Sequence, residues 1–388
     1  MNEFEKQFQE LQSFLKFDDF SILTKRIIDL TLDTQDTNHY KKTIAFLDWL
    51  DTNENSSIED KKLKFQEVLS DLYVDLIKKT IAEKKVLISA TDLEKNYGKS
   101  SFGLGPIDLE LHQGEILGLV GENGNGKTTL LRSLCGQLFP TSGKIKYHFD
   151  CTDEYDLSTK LVYIPQRTDT WYGSMHENLQ FTAATYGYKP DENELIVQLI
   201  IARLGLRKFR NHSWKSLSSG YKMRFELARM LLRKPKVLLI DEPLANLDIL
   251  AQQTVLEDFK SIAKSPFRPI GIVLSSQQLY EVEKTSDQVI FLKQGKQKNL
   301  HEKTIDNEDV AIETNLVIEF ESSFSQNQLG EFFTKLKMKS LQFNGGTFIV
   351  TFPESVSIYD FMKLVVENQI SITYFRNISN STRRFFVS

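Results

Sequence analysis

Apolar residues recur along the first 85 positions at helical spacing. Phe4, Phe8, Leu11, Phe14 and Leu15 form one stripe, and Phe20, Leu23, Ile27, Ile28 and Leu32 repeat it. Further helices are predicted over 38–50 and 58–82, with breaks at 33–37 and 51–57, so the segment reads as a small helical bundle. The period then changes. Residues 86–90, 107–111 and 144–149 alternate as half-exposed strands, whereas 115–120, 161–165 and 237–240 are apolar runs that read as buried strands. Residues 129–134 and 171–204 look helical, and 150–158 reads as an acidic turn without a role. After about residue 313 the order is strand (316–320), helix (326–337), a hairpin of 340–343 and 347–352, helix (358–368) and strand (370–375). Three domains are expected: 1–85, 86–310 and 311–388. The last has the β-α-β-β-α-β order of a small α+β unit.

At 388 residues the chain has room for two or three domains, and 40% hydrophobic residues is ordinary for a globular chain. A net charge of −4 carries no broad basic signature, so no nucleic-acid partner is expected. No apolar run approaches the roughly 20 residues that cross a bilayer. The start, Met1 to Lys6, is acidic and polar rather than a signal peptide, so a cytosolic chain is expected. The two cysteines, Cys135 and Cys151, have no metal or disulfide spacing and read as reduced thiols.

The chemistry centres on Gly121, Glu122, Asn123, Gly124, Asn125, Gly126, Lys127, Thr128 and Thr129, which lie between a predicted buried strand and a predicted helix. The spacing is that of a phosphate-binding loop. Its glycines let successive N–H groups and the helix N-terminus face polyphosphate; Lys127 would neutralise β- and γ-phosphate oxygens, and Thr128 would ligate Mg²⁺. MgATP or MgGTP is the expected ligand. The apolar run 237–240 ends in Asp241 and Glu242, placed at the carboxyl edge of a sheet where phosphates bind. Asp241 is the candidate Mg²⁺ carboxylate, and Glu242 the candidate to polarise an attacking water.

Between loop and carboxylates stands Leu217, Ser218, Ser219, Gly220 and Tyr221, opening the helical pattern 222–229. From here the chain resembles the ABC ATPase family over about residues 86–300, with the family's motifs in the family's order. The resemblance makes Tyr97 the aromatic that stacks on adenine, against an exposed turn tyrosine as the plainer reading. It makes Gln166 the Q-loop glutamine that touches Mg²⁺ and senses the transport partner. Asp248 becomes the D-loop residue at a dimer contact, and Ser218 and Gly220 the signature that grips the γ-phosphate of the opposite subunit. The same resemblance implies that the helical subdomain receives a membrane partner. His212 reads as a loop residue, and Arg224 and Arg229 as packing and ion-pair residues.

Two positions depart from the family pattern. In the signature, Ser219 stands for a glycine and Tyr221 for glutamine. In the switch segment, Gln277 stands where the family has histidine; glutamine can bond a γ-phosphate oxygen but cannot exchange a proton near neutral pH. Either hydrolysis is slow, or Glu242 and the Mg²⁺ shell suffice. The resemblance implies an α/β P-loop ABC ATPase domain with a helical subdomain, here with an N-terminal helical bundle and a C-terminal ferredoxin-like α+β domain. It further implies ATP and Mg²⁺ as cofactors, a homodimer as the working unit, a separate integral membrane subunit as partner, and a place on the inner face of the membrane. Appended C-terminal domains closing with a segment such as 381–386 point to an exporter, although that segment lacks the usual acidic form. The rival reading is a soluble ATP switch with slow turnover, and the N-terminal bundle is read either as a buttress or as a docking module. A tandem translation-type protein would need a second nucleotide domain, and a chromosome-organising type a long heptad segment.

Overall fold

The computed structural model describes residues 2–98, 102–277, 279–298, 315–344 and 346–379, in two compact units, 1–297 and 298–388. Four helices open the first unit, each behind a short polar residue that accepts first-turn N–H groups. Helix α1 (Glu3–Lys16) starts at Asn2, which accepts from the Glu5 amide at 2.8 Å while Glu5 accepts from the Asn2 amide at 2.8 Å. Asp19, Asp36 and Ser57 cap α2 (Phe20–Thr34), α3 (Thr37–Thr52) and α4 (Ile58–Leu76). The striped positions Phe4, Leu11, Leu23, Ile27 and Ile28 are buried with Phe65 and Leu69 of α4. Helix α4 stops at Leu76, short of residue 82. Lys79 instead donates to the Asp33 and Thr34 carbonyls at 2.9 and 2.6 Å, and the Ala82 amide to the Pro266 carbonyl at 2.9 Å, so tertiary bonds end the helix.

The chain continues through β1 (Val86–Asn96), β2 (Gly103–His112), β3 (Ile116–Val120), α5 (Lys127–Leu134), β4 (Ser142–Tyr147), α6 (Glu154–Lys160) and β5 (Leu161–Ile164). Next come α7 (Met175–Thr185), α8 (Pro190–Arg203), α9 (Ser219–Leu231), β6 (Val237–Ile240) and α10 (Ile249–Ala263). The unit closes with β7 (Gly271–Ser276), α11 (Leu279–Thr285), β8 (Gln288–Lys293) and β9 (Lys296–Lys298). Strands in the order β2-β1-β4 form an antiparallel sheet. A six-stranded sheet runs β5-β6-β7-β3-β8-β9, its first five strands parallel. Every residue of β3, β6 and β7 is buried, which is why β3 and β6 read as unbroken apolar runs, whereas β7 buries Ser275 and Ser276 at its end.

Two expectations change here. The acidic turn at 150–158 is largely α6: Asp153 caps it by accepting from the Asp156 amide at 2.7 Å, and Asp156 pairs with Lys160 at 2.8 Å, so the acids serve a helix start. Within 171–204, helix begins only at Met175, behind a Ser174–Glu177 capping box, and breaks again before Pro190. Trp171 lies outside it, stacked on Trp214 at 4.9 Å.

The bundle is joined to the rest of this unit by buried charge. Arg203 of α8 donates to Asp29 of α2 at 2.6 Å and to Asp258 of α10 at 2.7 Å, and Lys25 pairs with Asp258 at 2.9 Å. Burial alone would lower the Arg203 pKa, but Asp29 and Asp258 outweigh it and raise it. Asp33 meets Arg268 at 3.0 Å and Ser265 at 3.0 Å. Desolvation outweighs these bonds and pushes its carboxyl above the ordinary value.

The second unit holds β10 (Leu316–Glu321), α12 (Gln326–Phe333), β11 (Ser340–Asn344), β12 (Thr347–Phe352), α13 (Ile358–Glu367) and β13 (Tyr374–Asn377). Its sheet is antiparallel in the order β11-β12-β10-β13, the order of a ferredoxin-like β-α-β-β-α-β unit. Phe320, Phe333, Phe352 and Phe361 fill its core. The last strand begins at Tyr374, not at residue 370. Gln369 takes a left-handed φ of 50° and the Ile370 amide donates to the Val365 carbonyl at 2.9 Å, so the apolar Ile370 belongs to the cap of α13. Residues 300–314 and the closing segment 381–386 lie outside the described residues.

Candidate nucleotide site

The loop between β3 and α5 is shaped by contacts that exclude side chains. A Cβ on Gly121 would stand 2.5 Å from the Leu292 carbonyl oxygen of β8, and Gly126 has φ of 97° with Leu104 2.8 Å from its Cβ position. Asn125 Oδ1 accepts from the Gln294 amide at 2.8 Å, pinning the loop to the β8–β9 turn. Asn123 and Gly124 lie exposed on its rim, and helix α5 starts at Lys127.

Lys127 is buried, and its ammonium donates to the carbonyls of Gly121 at 2.6 Å and Glu122 at 3.1 Å while pairing with Glu242 at 3.1 Å. Thr128 Oγ1 donates to Asp241 Oδ2 at 2.7 Å. Asp241 and Glu242 directly follow β6 and are both buried. Glu242 has a left-handed φ of 49°, a strained state for a residue with a side chain. Loop and carboxylates thus meet in two side-chain pairs, Lys127 with Glu242 and Thr128 with Asp241.

Strand order brings other candidates to the same edge. Strands β5, β6, β7 and β3 are parallel neighbours, so the segments after them leave at one end of the sheet. Gln166 follows β5, Asp241 and Glu242 follow β6, Gln277 follows β7, and the phosphate loop follows β3. Gln166 and Gln277 are exposed. Tyr97, at the end of β1, is 43% exposed, and its hydroxyl lies 3.3 Å from Thr129 Oγ1.

The signature residues form a second group. Ser218 is exposed and caps α9, accepting from the Tyr221 amide at 3.5 Å. Gly220 is buried, its Cβ position 3.5 Å from Ala251 and 3.7 Å from Leu247, so the start of α9 packs on the segment around Asp248. Asp248 caps α10, accepting from the Ala251 amide at 2.9 Å, beside exposed Ile249 and Leu250. Tyr221 packs within its own chain, its ring centroid 3.9 Å from that of Phe209 and Arg224 5.5 Å above it. Arg229 pairs with Glu226 at 2.7 Å, and His212 sits exposed against Phe209.

Sequence reasoning missed three residues. Ser275 Oγ donates to Asp241 Oδ1 at 2.6 Å and accepts from the Glu242 amide at 2.9 Å. Tyr163 donates to Asp241 Oδ2 at 3.2 Å, its pKa pushed up by burial and by that carboxylate. Glu226, solvent-free on α9, accepts from Trp171 Nε1 at 2.8 Å. Ser275 and Tyr163 occupy strand positions that the apolar pattern assigns to the core. Only the pairing of β5, β6 and β7 brings them to the carboxylates.

A parallel sheet with a phosphate loop at its edge, a buried lysine and two strand-end carboxylates defines a P-loop nucleotide hydrolase. Among these, the ABC transporter family profile matches residues 104–245. An ABC transporter ATP-binding protein of Methanocaldococcus jannaschii is 31% identical over 220 residues, covering 54% of this chain and 84% of the relative. ABC transporter ATP-binding protein NatA of Bacillus subtilis is 29% identical over 198 residues, covering 49% of this chain and 77% of the relative. Among solved structures, cbiO1 from Clostridium perfringens, part of the ABC transporter complex cbiONQ, aligns with a TM-score of 0.51 at 25% identity, over 55% of this chain and 87% of that one. The chain belongs to the ATP-binding proteins of ABC transporters and is an ABC-type ATPase.

Proposed function

We propose that this chain is the motor subunit of an ABC exporter, a homodimer whose ATP-driven closure works a separate integral membrane subunit from the inner face of the membrane. The observation that carries the motor reading is the meeting of the loop with the strand-end carboxylates, buried Lys127 on buried Glu242 and exposed Thr128 on buried Asp241. Lys127, already aimed at loop carbonyls and a carboxylate, would exchange those partners for β- and γ-phosphate oxygens. Asp241 Oδ2 and Thr128 Oγ1, 2.7 Å apart, are hard oxygen donors that fit Mg²⁺, with Gln166 as a third. Bound there, Mg²⁺ would neutralise charge on the transferring phosphoryl group. Glu242 would hold and polarise the attacking water, and Gln277 would donate to a γ-phosphate oxygen. Tyr97, exposed beside Thr129, would stack on adenine. Gly121, Gly124, Gly126, Asn123 and Asn125 shape the loop that receives the phosphates.

The dimer follows from what one copy lacks. Ser218 is exposed at the start of α9 and belongs to the second group of residues, so its γ-phosphate partner would come from another copy, with Asp248 and the exposed Ile249 and Leu250 at the contact. Among the described residues no helix is long and apolar enough to cross a membrane, so the membrane subunit would be another chain. Appended domains like the second unit support the exporter reading by resemblance alone.

MgATP hydrolysis by the wild type beside Glu242→Gln, with dimerisation followed by size, tests the motor reading. Turnover by the wild type and an inactive variant trapped as an ATP dimer is the expected result. Equal inactivity of both, in membranes as in solution, favours the soluble switch. Co-purification with an integral membrane protein, and accumulation of its substrate inside cells that lack this chain, would mark an exporter.

A further inference from the structure

Ser275 has no solvent exposure, and its single hydroxyl is used twice. It donates to Asp241 Oδ1 at 2.6 Å and accepts the Glu242 backbone N–H at 2.9 Å. The first bond fixes the rotation of the Asp241 carboxylate, leaving Oδ2 turned to Thr128 at 2.7 Å and Tyr163 at 3.2 Å. The second anchors an amide whose residue has φ of 49°, a conformation that persists only where its surroundings hold it. A buried serine with a purely local task usually bonds backbone groups of its own segment. Here both bonds leave β7 and reach the two consecutive residues that follow β6. The same serine stands two residues before Gln277 in the chain.

We infer that Ser275 is a positioning residue for ATP hydrolysis, setting the Asp241 carboxylate and the direction of Glu242 together through one hydroxyl. This rests on the roles proposed above for those two carboxylates. Alanine at this position leaves Asp241 Oδ1 short of its donor and the Glu242 amide without an acceptor, in a site that water reaches poorly. Loss of an outer partner of a metal-binding carboxylate costs about 10- to 100-fold in metal affinity or activity.

The test uses the full chain as wild type, Ser275→Ala, Ser275→Thr and Glu242→Gln. Three quantities are measured: ATP affinity in EDTA, the Mg²⁺ concentration that gives half of the ATP-dependent rise in melting temperature, and kcat. Ser275→Ala is expected to bind ATP in EDTA like the wild type, to need about 10-fold more Mg²⁺, and to turn over about 10- to 100-fold more slowly. Ser275→Thr, which keeps the hydroxyl, should return both altered readouts toward wild type. An alanine variant equal to wild type in Mg²⁺ midpoint and kcat overturns the inference. So does one that loses ATP binding in EDTA and melts early, since the serine would then only pack the strand. If the wild type and Glu242→Gln turn over equally, the role of Glu242 fails. The Mg²⁺ midpoint needs no turnover and then decides Ser275 by itself, a raised midpoint supporting its hold on Asp241 and an unchanged one overturning it.

Discussion

Asp33 shows how burial fixes the behaviour of a single side chain. Its carboxyl lies in the seam between α2 and the segment before β7, and desolvation raises its pKa above 3.8 despite Arg268 and Ser265. A carboxyl that binds its proton more tightly folded than unfolded contributes stability in acid, and loses that contribution as pH rises from 3.8 through the folded value. Asp33→Asn removes the titration. Urea denaturation at about pH 4 and about pH 7 should show wild-type stability falling relative to the variant as pH rises, and a constant difference would contradict the assignment. Tyr221, which departs from the family signature, has an equally local account. Its ring fills a place against Phe209 and beneath Arg224. Tyr221→Gln is expected to cost about 0.5–1.5 kcal/mol of stability while leaving ATP affinity unchanged, checked by denaturation and a binding titration.

At the scale of elements, α8 is held by more than apolar packing. Arg203 joins it to α2 through Asp29 and to α10 through Asp258, all inside the first unit. Removing one member of a buried ionic group leaves charges without partners. Arg203→Ala should therefore destabilise the unit by about 3–5 kcal/mol, far more than Lys42→Ala, whose Asp71 pair is exposed. Equal effects of the two in denaturant midpoints would show that the buried network holds nothing. The N-terminal helices are fastened through α2 to α8 and α10, the helices that precede the signature and follow Asp248.

Among the described residues the apolar core of each unit is its own, built from two large clusters in the first unit and one in the second. The second unit closes its own cluster around Phe320, Phe333, Phe352 and Phe361, while the first packs around the buried sheet and the helical stripes. Each core is expected to unfold as its own cooperative transition. Phe361→Ala should cost about 3–5 kcal/mol in the second unit alone. Calorimetry would then show one transition displaced and the other, stabilised by ATP, in place; a single merged shift would refute independence.

Local chemistry determined much of this protein from sequence alone. The stripes of α1 and α2, the unbroken apolar strands, the glycines and Lys127 of the loop, and the order of motifs are each set by neighbours within a few positions, so they are legible without a fold. The C-terminal end of α4 and the start of β13 were not, because Lys79 and Ile370 make their bonds to the distant C-terminus of α2 and within a helix cap. Nor were the polar residues inside apolar runs. Tyr163 and Ser275 look like interruptions of the core until the sheet places β5 and β7 on either side of β6. Only that pairing turns a buried serine hydroxyl and a half-buried tyrosine hydroxyl toward one carboxylate, because these hydrogen bonds join residues that the chain separates by 34 and 78 positions.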